Sequence, residues 1–229
     1  MPLGSIVNAL TVIAGSTLGL LLRRKLPEAI KAIIFQAVGL ATLVLGMQMA
    51  LKIEKAEHFL IVIFSLIFGG ILGEVVHLET RLEQWGDRLK ARVRIRDARF
   101  TEGLITAFLI FCVGSMTFVG AINEGLSGDR TLIYTKSILD GFTSMVLASV
   151  YGVGVLFSAV PLFIVQAGLT LLAAQSSGFF SDAIIGQMTA VGGALILGIG
   201  LSLLEIKKIK TINLLPGLLV VVLLTLIFG

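Results

Sequence analysis

Eight apolar runs follow one another along this 229-residue chain: Leu3–Leu22, Ala29–Leu51, Phe59–Val76, Gly103–Ile122, Thr131–Val150, Gly154–Ala174, Ala183–Leu204 and Leu214–Phe228. A spanning helix needs about 20 apolar residues, and each run is near that length. Hydrophobic residues make up 56% of the chain and 26 Gly lift the apolar share to about two thirds, against roughly 45–50% in soluble domains. Asp, Glu, Lys and Arg make up only 14%, which excludes an ordinary soluble fold and leaves no room for a disordered tract. The expected fold is an all-α integral membrane protein with about eight transmembrane helices. The last run is short and carries Pro216-Gly217, which begins a helix more readily than it continues one, and the fifth is polar, so seven spans is the competing count.

The formal net charge of +4 sits between apolar runs, as in loops facing a cytoplasm, so nucleic acid is not an expected partner. With eight spans, one side receives Arg23, Arg24 and Lys25, then Arg81, Arg88, Lys90, Arg92, Arg94, Arg96 and Arg99, then Lys207, Lys208 and Lys210. The other receives Lys52, Lys55 and Arg130. This bias puts the basic loops in the cytoplasm and both termini outside, and the first run reads as a retained span without a basic leader. The longest polar segment, His77–Thr101, sets Leu78, Leu82, Trp85 and Leu89 at helical spacing against charged residues. It is expected to lie on the membrane surface, either as an ordinary positive-inside loop or as a helix recognising anionic lipid or a partner.

A shift of 153 residues without a gap gives 12 identities over the 44 positions from Val12 to Lys55, among them Val12, Ala14, Gly15, Thr17 and Leu18 against Val165, Ala167, Gly168, Thr170 and Leu171. Roughly 4 would arise by chance in so biased a composition. Three spans before the surface segment and two after it would bring the second three-span unit in from the opposite face, so the repeats would be inverted. The expected organisation is a first three-helix repeat over 1–76, the cytoplasmic amphipathic segment over 77–101, a central helix pair over 102–151 and a second repeat over 152–229. Inverted repeats are the architecture of many secondary transporters, with sites near the midplane, although repeats also occur in membrane proteins that transport nothing.

Unusual residues concentrate in the central pair. Phe111-Cys112-Val113-Gly114-Ser115-Met116-Thr117 ends an apolar run with small and hydroxyl residues, and Gly120, Asn123, Glu124, Gly125, Gly128 and Asp129 follow as a polar, glycine-rich stretch expected to unwind. Broken backbone at membrane depth is tolerated where it lines a cavity, and the alternative is an external loop whose glycines pack closely. In the next run Lys136 and Asp140 stand four residues apart on one face, with Thr143 and Ser144 extending the polar side. Each charge costs about 2.5–3.5 kcal/mol at a helix centre, so the two should be paired and face the interior. They form either an ion or proton site, with Asp140 as ligand and Lys136 as its competitor, or a structural ion pair. Asn8, Gln36, Gln48, Glu74, Gln166 and Gln187 read as packing contacts between helices or as interfacial groups. His58 and His77 lie at opposite ends of one span and cannot share a metal, and the single Cys112 admits no internal disulfide. No catalytic triad, HExxH, Walker or dinucleotide fingerprint occurs.

At Phe111-Cys112-Val113-Gly114-Ser115-Met116, Glu124-Gly125-Leu126-Ser127-Gly128-Asp129, Thr135-Lys136-Ser137-Ile138-Leu139-Asp140-Gly141, Gly152–Ala159 and Asn213-Leu214-Leu215-Pro216, the sequence resembles the bacterial membrane family of domain of unknown function 554. Val7-Asn8-Ala9 and Gly15-Ser16-Thr17-Leu18-Gly19 fit as well, and Gly217 stands where Ala would be expected. The likeness covers essentially the whole chain and implies a multi-pass protein of the bacterial cytoplasmic membrane. Members are called transport proteins on hydrophobicity alone, so it implies no particular activity. The expected function is a small secondary transporter or channel for an ion or small polar solute, with no enzymatic activity and no cofactor or metal. Its site would combine Lys136 and Asp140 with Ser115, Glu124 and Asn8. The competing class is a non-transporting membrane protein that binds lipid or a protein partner. Membrane lipids are expected partners in either case, and a homo-oligomer is compatible with both.

Overall fold

The computed structural model describes residues 2–23, 27–51, 53, 56–95, 97–112, 115–175 and 181–228, without the side chains of Glu28, Lys31, Phe35, Ala56, Glu57 and Ser115. Met1, Arg24, Lys25, Lys52, Lys55, Arg96, Val113, Gly114 and Gly229 lie outside the described residues. Among those described there are helices and no strand. In order they are α1 (Leu3–Arg23), α2 (Glu28–Ala50), α3 (Ala56–Val75), α4 (Leu78–Arg92), α5 (Phe100–Cys112), α6 (Ser115–Ser127), α7 (Thr131–Tyr151), α8 (Gly154–Phe157), α9 (Ala159–Gln175), α10 (Asp182–Leu203), α11 (Thr211–Leu214) and α12 (Gly217–Phe228). Six stretches of described helix are long and apolar enough to cross a membrane, and a seventh is obtained if the bent pair α5–α6 is one span. α7 has 21 residues, but Lys136, Asp140 and its hydroxyls keep it out of that set.

The chain divides into two compact units. The first holds 1–35, 86–112 and 116–180, hence α1, α5, nearly all of α6, α7, α8 and α9. α1 buries Gly4, Ser5, Asn8, Val12, Gly15, Ser16 and Gly19 at helical spacing and turns Leu10, Leu18 and Leu21 outward. Small and polar residues face inward because lipid is as apolar as leucine and gives leucine no reason to hide. α1 runs parallel to α7: Gly4 meets Ile133, Asn8 meets Asp140, Gly15 meets Gly141 and Gly19 meets Met145. A Cβ at Gly15 or Gly19 would strike the carbonyl of Gly141 or Met145, so the two backbones touch directly. At Gly152 a φ of +85° ends α7, and Gly154 then lies against the carbonyl of Phe100.

The glycine-rich stretch does not unwind where the sequence placed the break. α6 continues through Gly120, Asn123, Glu124 and Gly125 to Ser127, and the interruption falls earlier, where α5 ends at Cys112 and α6 starts at Ser115. The helix axes there differ by 58°. Thr117 supports the bend by donating its hydroxyl to the Phe111 carbonyl at 2.8 Å, one of the acceptors left over at the end of α5. Gly120 and Gly125 serve close packing instead, on Ile133 and on the backbone of Thr170.

The second unit holds 36–85, 113–115 and 181–229, with most of α2, α3, the first half of α4, α10, α11 and α12. α10 is its most buried helix and crosses α2 antiparallel, with Gly39 on Leu204, Leu43 on Gly200, Gly46 on Leu197 and Ala50 on Gly193. α3 is also antiparallel to the α11–α12 stretch, with Ser65 and Gly69 on Gly217 of α12 and Gly73 on Asn213 of α11. Pro216 precedes the first residue of α12, where its missing N–H has no helical partner to lose. In α4, Leu78, Leu82 and Leu89 are half-buried and Trp85 is exposed.

Candidate functional site

Three helices of the first unit bring four polar side chains together. Lys136 and Asp140 come from successive turns of α7, Asn8 from α1 and Gln166 from α9. Lys136 Nζ donates to Asp140 Oδ2, and the same oxygen accepts from Asn8 Nδ2 at 3.0 Å. Asn8 Nδ2 also donates to Gln166 Oε1 at 3.1 Å. Asn8 and Gln166 are fully buried, while Lys136 and Asp140 keep only 5% and 7% exposure. The Phe111 ring of α5 lies 5.9 Å from the ammonium, close enough for a cation–π attraction.

The orientation of both amides follows from chemistry. A carboxylate accepts only, so the Asn8 group facing it must be the NH2, and the Gln166 group facing that NH2 must be the carbonyl. Two polar atoms are then left buried without a hydrogen-bond partner among the described residues, Asn8 Oδ1 and Gln166 Nε2. Such atoms cost about 1–3 kcal/mol each unless something satisfies them. Ser144 is turned away from the cluster and donates to the carbonyls of Gly141 and Val12, at 2.8 Å and 3.2 Å.

Glu124 belongs to a neighbouring group. Its Oε1 accepts from the Gly4 N–H at 2.8 Å and from Arg130 Nε at 2.9 Å, and its Oε2 is buried without a partner. Gly4 precedes Asn8 by one helical turn, so α1 links the two groups without a direct contact between Glu124 and Lys136 or Asp140. The side chain of Ser115 lies outside the described residues. Sequence reasoning missed Gln166, Arg130 and Phe111 as members of these groups. A lone amide within an apolar span was the one signal available for Gln166, and amides commonly serve packing alone.

At the other end of α1, Arg23 Nη1 meets Asp97 Oδ2 at 2.5 Å, and that oxygen also accepts from the Val153 N–H at 3.3 Å. Partial burial pushes the Asp97 carboxyl up, but the Arg23 guanidinium and the N–H groups of Arg99 and Val153 outweigh it and hold it below the ordinary carboxylate range. A carboxyl lowered on folding stabilises the native state fully above its unfolded value, about pH 4, and loses that contribution as pH falls through the lower folded value. Asp97→Asn should therefore cost about 1–3 kcal/mol at neutral pH, by analogy with other charged hydrogen bonds. In thermal unfolding the gap from wild type should be level from pH 5 to 8 and close below about pH 4. A gap unchanged at pH 3 would contradict the assignment.

Two grooves among the described residues lie elsewhere. One of about 230 Å³ follows α1 and α7 at Thr11, Gly15, Ile138 and Phe142. The other, about 550 Å³ and mainly apolar, follows α3 beneath the Glu74–Lys210 ion pair, where Asn213 also donates to Glu74. Among the described residues, no three His, Cys, Asp or Glu side chains are grouped as a metal site.

The sequence profile described as "Protein of unknown function (DUF554)" matches residues 3–226. The chain belongs to this family. It is 37% identical over 218 residues to "Uncharacterized membrane protein YdfK" of Bacillus subtilis (strain 168), covering 95% of this chain and 93% of that one. It is 32% identical over 226 residues to "Uncharacterized protein YqgA" of Escherichia coli (strain K12), covering 96% and 94%. No solved structure matches. The family and the apolar helices together make this a membrane protein, with the polar cluster of α1, α7 and α9 built into otherwise apolar surroundings.

Proposed function

We propose that this family member is a small secondary transporter or channel for an ion or small polar solute, with its site near the membrane midplane and no enzymatic activity. One observation carries the reading: a salt-bridged Lys136–Asp140 pair and two amides are buried on three helices of an apolar bundle, with a donor and an acceptor left unsatisfied among the described residues. Intramembrane ionisable residues that face a bundle interior characteristically mark ion or proton pathways. Asp140 is the tenth of the 21 residues of α7, and Gln166 lies near the middle of the Gly154–Gln175 stretch, which supports the midplane depth. Lys136, Asp140 and Asn8 form the centre, Glu124 stands one turn along α1, and Ser115 stays in the set on its sequence position.

Helix directions support eight spans and an inverted repeat. With both termini outside and the bent α5–α6 pair crossing once, α1 and α7 descend together, α2 and α10 oppose each other, and so do α3 and α12. Each direction agrees with the contacts within its own unit. α2 and α10 are mates under the shift of 153 residues, and their antiparallel crossing is what inversion requires. Each compact unit also takes matching pieces of both repeats: α1 with α9, and α2–α3 with α10–α12.

In a bacterial cytoplasmic membrane this topology places Gly86 and Ile209 in the cytoplasm and Met1, Gly128 and Gly229 outside. Single-cysteine labelling in a background lacking Cys112 checks it, and termini on opposite faces would remove both the eight-span reading and the inversion. For function, reconstituted protein should move at least one member of a broad panel of ions and small solutes faster than empty liposomes, and Asp140→Asn should change that rate. A second reading, a lipid- or partner-binding protein without transport, draws on the apolar groove along α3 and on exposed Trp85 in α4. It predicts no flux for any member of the panel.

A further inference from the structure

We infer that the cluster binds a small monovalent anion together with one proton, with Lys136 and Gln166 as donors to the anion and Asp140 as the proton acceptor. The inference rests on the transport reading and names its substrate class. The cluster has donors and acceptors left over. An ammonium has three N–H donors, and among the described residues Lys136 spends one, on Asp140. Gln166 presents both N–H donors of a fully buried NH2 that has no hydrogen-bond partner among the described residues. Asn8 has spent both of its own on Asp140 and Gln166. On the acceptor side stand Asn8 Oδ1, the remaining lone pair of Gln166 Oε1 and the two oxygens of the carboxylate itself, fewer than the roughly six oxygens a dehydrated metal cation takes. The leftover chemistry is that of an anion site.

Charge conservation then requires the proton. The empty cluster holds Lys136 as a cation and Asp140 as an anion, a neutral pair. An anion entering beside an ionised Asp140 would leave a net negative charge in a low-dielectric interior, which is costly. A proton from solution bonding to the Asp140 carboxylate breaks its ionic bond to Lys136 Nζ. Lys136 keeps its three protons and donates to the incoming anion, so the loaded cluster is again neutral. A cation binding to Asp140 beside the Lys136 ammonium would instead leave a net positive charge in the same interior. The charged and titratable groups on neighbouring elements are few. Cys112 comes from the end of α5, the Glu124–Arg130 pair lies one turn away along α1, and neither α1 between Leu3 and Leu22 nor α9 carries an ionisable side chain.

Thermal unfolding of the full chain in detergent tests this, with sodium and choline salts of chloride, nitrate and acetate from pH 5 to 8.5, because a ligand held by the native state raises its stability. Wild type should be stabilised by the anions whichever cation accompanies them. Over the range where Asp140 is ionised, apparent affinity should fall by about tenfold per pH unit, the linkage of one proton to one anion. Asp140→Asn should bind the same anions without pH dependence, and Lys136→Met/Asp140→Leu should not respond to them. If Asp140→Asn fails to fold, the wild-type pH slope and the double variant decide. Stabilisation by Na⁺ rather than choline at high pH, with no anion effect, would overturn the anion and leave transport standing. An anion response that is the same at every pH, or that persists in the double variant, would overturn the coupling or the site. Absence of any salt response would overturn the anion class, while flux of neutral solutes would still decide the transport reading separately.

Discussion

Removing either member of the Lys136–Asp140 pair should destabilise the protein by about 3–5 kcal/mol, and replacing both as Lys136→Met/Asp140→Leu should restore most of that loss. The asymmetry comes from burial. With 5% and 7% exposure, neither charge can turn to water when its partner is gone, so a single replacement strands an ion. The double replacement strands none, although it leaves Asn8 Nδ2 without its carboxylate acceptor, so recovery should be incomplete. Thermal unfolding of the four proteins in one detergent at pH 7 checks the cycle. Additive losses, with the double variant as unstable as the two singles combined, would contradict a coupled buried pair.

The second large effect is expected at the α1–α7 seam. Gly15→Val and Gly19→Val should each cost more than about 3 kcal/mol, because the added side chain meets the carbonyls of Gly141 and Met145, and backbone cannot rotate aside as a side chain can. Glycine does a different job at Gly168 and Gly186, where a Cβ would meet nothing within 4 Å. Alanine there should be neutral or stabilising by up to about 1 kcal/mol, the ordinary gain for a helical Gly→Ala change. Folded yield and unfolding temperature of the four variants distinguish a packed seam from a general intolerance of side chains. Gly15→Val matching Gly168→Ala would contradict the seam.

These two sites show what was legible in the sequence. Helices of spanning length were readable because lipid imposes one length on apolar runs, and α1, α2, α7 and α10 begin and end within a few residues of the expected limits. The Lys136–Asp140 pairing was readable because four residues close one turn and charge in an apolar run needs a partner. Asn8 was picked out, but its partner Gln166 was not, since the two are 158 positions apart and no local pattern announces a contact between helices. Glu124 was grouped with Lys136 because both are polar residues in the central pair. The fold separates them, since the Gly4 N–H and Arg130 reach Glu124 first. The bend moved from Gly120–Asp129 to the end of α5 for a similar reason. Glycine content alone does not distinguish a helix that unwinds from one that packs tightly, and only the neighbours Ile133 and Thr170 reveal which occurs.

Flux through proteoliposomes, measured in parallel for wild type and for the neutral Lys136→Met/Asp140→Leu variant, bears most directly on the proposed role. The double variant is the informative control because it is expected to fold with the charged site erased. Wild type should move at least one small ion or solute above the rate of empty liposomes, and the folded double variant should fall to the empty-liposome rate for the same species. Equal flux in the two proteins, or wild-type flux no greater than that of empty liposomes across the panel, would contradict that role.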